Sequence, residues 1–415
     1  MEGNRYKQPK LTYVYTFCLS FKKSLLLPIK TFHVPNLRHI YLGKKMKNKE
    51  EPFIELLTGF DGANPPHQKD IVMESPQRFR IKTFNEPNSN DHYWFWFNTL
   101  VLNHGTETVD VELIVEWPAL ERFPNHPYDY CFYGDYGNWH PIRATIVGIE
   151  ARLIVPVKPG KTFVCFYPRY SYGRYERFVA SLPTNTPILE KNTEGQSTAG
   201  RDIWSFRFTD PHTSETEKPT VLITARGHPY ETSGSYIVEA MMQYLLSDHP
   251  ETKAILNRNI IHFLPITNPD GVVLGLNQQT GLDGINISYG ADANVPEANA
   301  LLGLVERCQP TLWIDIHSWP HQGDDGMWCT HQWIADGLLK EIPDGTWQSY
   351  VWNVSFLRDR NTPENHLWQW LVRTLNSGGV SLSFSWYQRT EHNMREIGEG
   401  LIQALDRLMQ TRRPT

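Results

Sequence analysis

Cysteine is scarce in this 415-residue sequence, and its five copies (Cys18, Cys131, Cys165, Cys308 and Cys329) are odd in number and widely spaced. That excludes a disulfide framework and reads as reduced thiols in a cytoplasmic protein. Positive charge is not in excess either. The net charge is −5 and no long basic run occurs, which argues against a nucleic-acid partner. No apolar run is long enough to span a bilayer, so no membrane partner is expected. The nearest imitation, residues 11–21, is flanked by Lys10, Lys22 and Lys23 and lacks the small-x-small cleavage site of a signal peptide. Internal repeats are also lacking. Residues 24–45 show neither a helical period nor strand alternation, and Met46 opens a polar Lys-Asn-Lys-Glu-Glu run. Residues 1–45 are therefore expected to be an unstructured extension or an upstream start-site artefact, dispensable for the stability of the rest.

What the chain has in quantity is aromatic side chains, 13% of its residues with 14 Trp and 19 Tyr, which suits β-rich packing and clefts that grip a substrate. Its length suggests two domains, each large enough for its own core. From residue 53 the pattern is β. Residues 93–102 read as a largely buried aromatic strand, 108–115 as its alternating partner, and His104-Gly105 as the turn of a hairpin. Residues 142–157 and 162–167 add strands separated by Pro159-Gly160. Short strands at regular spacing predict an antiparallel β-sandwich over 46–167. From 168 to 415 strands alternate with helices. Residues 203–208, 220–225, 260–266 and 312–316 read as strands, and 234–246, 298–307 and 394–409 as helices. This predicts an α/β domain with a mixed, mostly parallel sheet covered on both faces, and an α+β two-domain chain as a whole. The polar stretches 190–201 and 209–219 read as surface loops.

The chemistry starts at the buried strand 221–225, which Arg226-Gly227 breaks and His228-Pro229-Tyr230-Glu231 follows. His228 and Glu231 thus lie at a strand's carboxyl end, where open α/β sheets hold their sites. An imidazole and a carboxylate three residues apart converge on one cation when the turn presents both. The spacing alone is weak, since it recurs at His104/Glu107 and His212/Glu215 in polar, turn-like segments. A second apolar strand, 311–316, also ends in a histidine, His317. Two imidazoles and a carboxylate make an open three-ligand zinc site. Asp315 faces the same side of that strand as His317, and two readings weigh equally: a support for His317, or an ordinary strand Asp.

With these residues in place the sequence resembles the zinc metallocarboxypeptidases related to carboxypeptidase A (peptidase M14), in particular the cytosolic carboxypeptidase branch. The matching residues are His-Pro-Tyr-Glu at 228–231, Asn-Pro-Asp-Gly at 268–271 and Asp-Ile-His-Ser at 315–318, in the family's order and each after a strand. The resemblance implies a carboxypeptidase-like domain preceded by an all-β module. It implies one Zn2+ per chain, held by His228, Glu231 and His317, that activates a water for hydrolysis of a peptide or amide substrate. Asn268-Pro269-Asp270-Gly271 is a turn by its own chemistry and supports the fold more than any catalytic step.

Three positions depart from the family. Gln278 stands where cytosolic carboxypeptidases carry an Arg. Ser288 and Tyr289 replace the Asn-Arg pair that clamps the substrate's terminal carboxylate, and Tyr cannot supply the charge. Arg226 and Arg389 are the cations nearest by sequence. The general-base Glu falls on Ser383 or Ser385, and serine is no base at neutral pH without a partner. Glu391 is the carboxylate placed to reach back from a loop, a solvated loop acid being its ordinary reading. Two functions stay open: a zinc hydrolase with altered substrate-carboxylate and general-base positions, and a catalytically inactive relative that binds zinc or a peptide as an interaction module.

Overall fold

The computed structural model describes residues 53–86, 96–117, 129–282, 284–290, 294–318, 325–341, 353–356, 367, 370 and 377–411. The extension expected at 1–45 and the aromatic residues 93–95 lie outside this set. Among the described residues ten strands come first: β1 (Ile54–Leu57), β2 (Ile71–Ser75), β3 (Arg78–Lys82), β4 (Asn98–Asn103), β5 (Val109–Glu116), β6 (Tyr130–Asp135), β7 (Asn138–Arg143), β8 (Thr145–Val147), β9 (Glu150–Val157) and β10 (Gly160–Cys165). They form two five-stranded sheets, β1-β4-β10-β6-β7 and β2-β3-β5-β9-β8. Alternation supplies the core, unbroken in β9 and interrupted in β5 by the buried Ile114. Val111, Leu113 and Val115 of β5 and Leu153, Val155 and Val157 of β9 are fully buried, while Glu112 and Arg152 are only partly covered.

Two expectations for this region are corrected, and the antiparallel pattern has one exception. The segments around His104-Gly105 do not pair as a hairpin, because β4 joins one sheet and β5 the other. Each strand has a buried face, and placing them in separate sheets lets those faces cover one another instead of sharing one side. The sheets are antiparallel except for β3–β5, which pair parallel, since the chain leaves to build β4 in the other sheet before it returns. The run 142–157 is not one strand but the end of β7, then β8 and β9, broken at Ala144 and at Gly148, whose φ is 59°.

The second half holds one eight-stranded sheet made of β11 (Leu189–Gln196), β12 (Asp202–Phe208), β13 (Thr220–Ala225), β14 (Ile260–Leu264), β15 (Leu312–His317), β16 (Gly326–Cys329), β17 (Asn353–Phe356) and β18 (Gly378–Ser383). Its order is β11-β12-β14-β13-β15-β18-β16-β17, and the four central strands are parallel. The expected loop at 190–201 is largely β11. Its polar composition reflects an edge strand with mostly exposed side chains, which an alternation test misses. The helices are α1 (Tyr172–Ser181), α2 (Ser233–Leu245), α3 (Pro250–Arg258), α4 (Pro269–Leu274), α5 (Pro296–Cys308), α6 (Gln332–Glu341) and α7 (Glu391–Gln410). Successive residues of β13 serve both faces: Val221 and Ile223 join the cluster that holds α2 and α7, and Leu222 joins Leu301 and Leu304 of α5. No described helix is long and apolar enough to cross a membrane. One cluster of buried apolar residues runs from Ile54 to Met409, and residues 51–415 form one compact unit. The change of architecture near residue 167 is therefore not a break in packing.

Candidate metal centre

At the end of β13, Arg226 adopts a left-handed conformation (φ 58°) and turns its buried guanidinium back on the loop. It donates to Pro229 O through Nε at 2.9 Å, and through Nη1 to Tyr170 O at 3.1 Å and Ser235 Oγ at 2.9 Å. The loop that carries His228 is closed by these bonds. Helix α2 then starts hard against β15. A Cβ on Gly234 would stand 2.9 Å from Ile316 O, so only glycine allows the approach that places Glu231 beside His317.

The three residues converge. His228 Nδ1 lies 3.2 Å from Glu231 Oε1, His317 Nδ1 lies 2.6 Å from Glu231 Oε2, and all three donor atoms fall within 4.8 Å of one another. Glu231 is fully buried. Burial alone would raise its pKa, but the His317 and His228 imidazoles outweigh it and hold the carboxylate well below its usual range. Burial would lower His317, yet the Asp315 and Glu231 carboxylates on either side raise it well above the ordinary imidazole value.

Each imidazole has its far nitrogen occupied. His317 Nε2 meets Asp315 Oδ2 at 2.8 Å. The other Asp315 oxygen accepts from Thr224 Oγ1 at 2.8 Å, and that hydroxyl accepts from Trp313 Nε1 at 2.8 Å. Asp315 is thus a support of His317, the first of its two weighed readings. His228 Nε2 faces Asn286 Oδ1 at 3.1 Å and Ser288 Oγ at 3.3 Å. With both Nε2 atoms engaged, both Nδ1 atoms face the Glu231 carboxylate, a donor set that suits zinc once those nitrogens are deprotonated. A cation there would displace the proton that His317 shares with Glu231.

Residues 175–318 match the model of the zinc carboxypeptidase family, peptidase M14. Over that stretch the chain is similar to the M14 zinc carboxypeptidases. Among its relatives, cytosolic carboxypeptidase 2 of Danio rerio is 34% identical over 190 residues, 42% of this chain and 26% of that protein. Cytosolic carboxypeptidase 2 of Homo sapiens is 27% identical over 37% of this chain and 18% of its own length. The matched part thus spans about a quarter or less of these relatives. A metallo-carboxypeptidase from Burkholderia cenocepacia has the same fold over 86% of this chain and 99% of its own, with a TM-score of 0.75 at 16% identity.

The other sequence-derived positions divide. Ser288 joins the triad through His228, and Gln278 is one bond further out, its Oε1 accepting from Asn286 Nδ2 at 3.1 Å. Tyr289 falls in the short turn Ile287–Tyr289 next to Ser288. Ser383 is paired in register with His317 on the neighbouring strand and is buried. Ser385 lies past the end of β18, with its Oγ taken by Tyr387 N–H at 3.0 Å. The structure does not bring Glu391 to the triad. Its Oε1 accepts from Gly137 N–H at 2.9 Å, at the start of α7. Arg389 is locked to Asp325 by bonds of 2.7 and 2.6 Å, both side chains being buried.

Sequence reasoning gave Asn286 no role and read Asn268 only as part of a turn. Asn268 Nδ2 bonds Gly227 O at 3.2 Å and Gln279 O at 2.8 Å, tying the His228 loop to the segment that leads to Gln278 and Asn286. Asn286 stands two residues before Ser288, but only its contact with His228, 58 positions away, marks it as functional.

Proposed function

We propose that this chain is a zinc-dependent hydrolase of peptide or amide bonds, with one zinc per chain held by His228 Nδ1, Glu231 and His317 Nδ1. The convergence of those three groups, each imidazole aimed from behind, carries the reading. Zinc bound by such a set supplies a Lewis acid and lowers the pKa of a water. The chain's own part is to fix the ligands. Asp315 holds His317 in the tautomer with a free Nδ1, and Asn286 with Ser288 does the same for His228.

On the substrate side, the two described cations nearest the site by sequence are committed elsewhere. Arg226 braces the ligand loop and Arg389 is bound to Asp325. Gln278, Ser288 and Tyr289 at the family's Arg, Asn and Arg positions carry no charge. A carboxylate entering a desolvated cleft without a fixed cation costs several kcal/mol. The substrate class that fits is therefore a peptide or amide without a free terminal carboxylate beside the cleaved bond. The names of the cytosolic relatives and the free cysteines Cys131, Cys165, Cys308 and Cys329 support a cytoplasmic place.

A second reading, zinc and peptide binding without turnover, is favoured by one observation: serine stands opposite His317 at the register position of Ser383. Metal analysis and a hydrolysis assay with one peptide as free acid and as amide decide between them. We expect about one zinc per chain, lost in His228→Ala and in His317→Ala, and cleavage of the amidated form at least as fast as the acid. Zinc without cleavage of either form selects the second reading. Zinc retained in both His variants defeats both, and free-acid binding tighter by about a hundredfold, roughly 2.7 kcal/mol, defeats the substrate class.

A further inference from the structure

We propose that Glu86, in the β-rich half, is a positioning residue for the metal centre, acting through Gln278 and Asn286 on His228. Glu86 follows β3 and is 2% exposed. Its Oε1 accepts the backbone N–H of Gln278 at 2.5 Å and of Asn277 at 3.1 Å, and its Oε2 accepts the Asn277 side-chain amide at 3.1 Å. Asn277 Oδ1 in turn accepts from Trp96 N–H at 3.1 Å. A buried carboxylate is costly unless such donors surround it, and here the donors belong to the segment that feeds the metal site.

Gln278 and the Ser288 backbone N–H together set which way the Asn286 amide points. Gln278 Oε1 takes the Asn286 Nδ2 hydrogen at 3.1 Å, so the acceptor end, Oδ1, faces Ser288 N–H at 2.9 Å and His228 Nε2 at 3.1 Å. An acceptor behind Nε2 places the proton there and leaves Nδ1 free toward Glu231. If the amide were turned, its NH2 would face the ring and favour the opposite tautomer.

The segment before Gln278 is moulded on the β-rich half as well. Asn64 Nδ2 donates to Gly275 O at 3.0 Å and Gly62 N–H to Val273 O at 2.9 Å. Gly275 has φ 65°, and a Cβ on it would meet Ala63 O at 2.2 Å. His317, by contrast, is braced from within the large sheet by Asp315, Thr224 and Trp313. The two imidazoles are thus supported from different halves of the molecule, and the β-rich half contributes to the metal centre without touching it.

The inference rests on the zinc reading above. The test is a chelator-competition titration with zinc alone on the full chain, comparing wild type, Glu86→Gln, Gln278→Met, Asn286→Ala and the double variant Glu86→Gln/Asn286→Ala. Glu86→Gln and Gln278→Met should each weaken zinc binding by about tenfold or more, the range for changes behind a ligand. In the Asn286→Ala background, Glu86→Gln should add less than about twofold, because the path is already cut. Asp61→Asn is the control for lost packing. It removes a carboxylate that braces Tyr172 and Gly173 N–H, and it should lower the melting temperature while leaving zinc affinity unchanged. Gln278→Met leaves the backbone bond to Glu86 intact and tests the onward link to Asn286, while Glu86→Asp, which keeps the charge but shortens its reach to the Gln278 N–H, carries the Glu86 test should Glu86→Gln fail to fold. Wild-type zinc affinity in Gln278→Met, or an undiminished Glu86→Gln effect in the double variant, overturns the proposal. A wild-type chain that takes up no zinc overturns the metal assignment itself, a distinguishable result.

Discussion

Glu297 is expected to make the stability of this protein fall as pH rises through neutrality. It stands in the first turn of α5, is fully buried, and among the described residues neither carboxylate oxygen finds a hydrogen-bond partner of normal geometry. Burial pushes its pKa from 4.5 up to about 7; the backbone N–H groups of Glu297 and Thr198 oppose the rise, and Asp270 adds to it. Between these two values the folded chain keeps a proton that the unfolded chain has lost, so the folded state is favoured at low pH and the advantage disappears as pH climbs past about 7. Integrated from about pH 5.5 to about pH 8, the loss is about 2 kcal/mol. His262 works in the opposite sense. Burial lowers it to about 4, so it costs stability as pH falls below its ordinary value of 6.5. The assay is urea unfolding of wild type and Glu297→Gln across this range. His262 is common to both, and the difference between the two profiles isolates Glu297. The gap in unfolding free energy should shift by about 2 kcal/mol toward the variant at the alkaline end. Profiles that run parallel would falsify the burial of an ionisable, unpaired Glu297.

Asp315→Asn should weaken zinc binding by about 10- to 100-fold in a competition titration while the fold survives, since it replaces an anionic acceptor behind His317 with a neutral one. Gly398→Ala should lower stability by about 1–3 kcal/mol in thermal unfolding. Its Cβ would come 2.6 Å from Ile237 O, where α7 crosses α2. Arg389→Leu should cost about 3–5 kcal/mol, because it strands the buried Asp325 carboxylate without its partner. A double change with Asp325→Leu should recover part of that loss.

The sequence by itself determined the strand ends. Val221 to Ala225 and Leu312 to Ile316 are apolar runs cut by a turn and by a histidine, and those local signals placed His228, Glu231 and His317 correctly at the carboxyl ends of β13 and β15. The alternation of β5 and β9 marked the β-rich half for the same reason: one face must be buried, and period two is visible without a partner. Partner choice was not visible. Whether β4 pairs with β5 depends on the rest of both sheets, so a turn at His104-Gly105 that resembles a hairpin link instead carries the chain from one sheet to the other. The edge strand β11 escaped because an exposed strand carries no hydrophobic period. Tertiary structure alone decided the support of the site. Asp315 could be a support or a bystander until the fold put its Oδ2 at His317 Nε2. Glu391 had to be close in space as well as in sequence to serve the triad, and the start of α7 turns it toward Gly137. Asn286 and Glu86 bear on His228 through contacts spanning 58 and 192 positions, and hydrogen bonds of that separation exist only after the chain has folded.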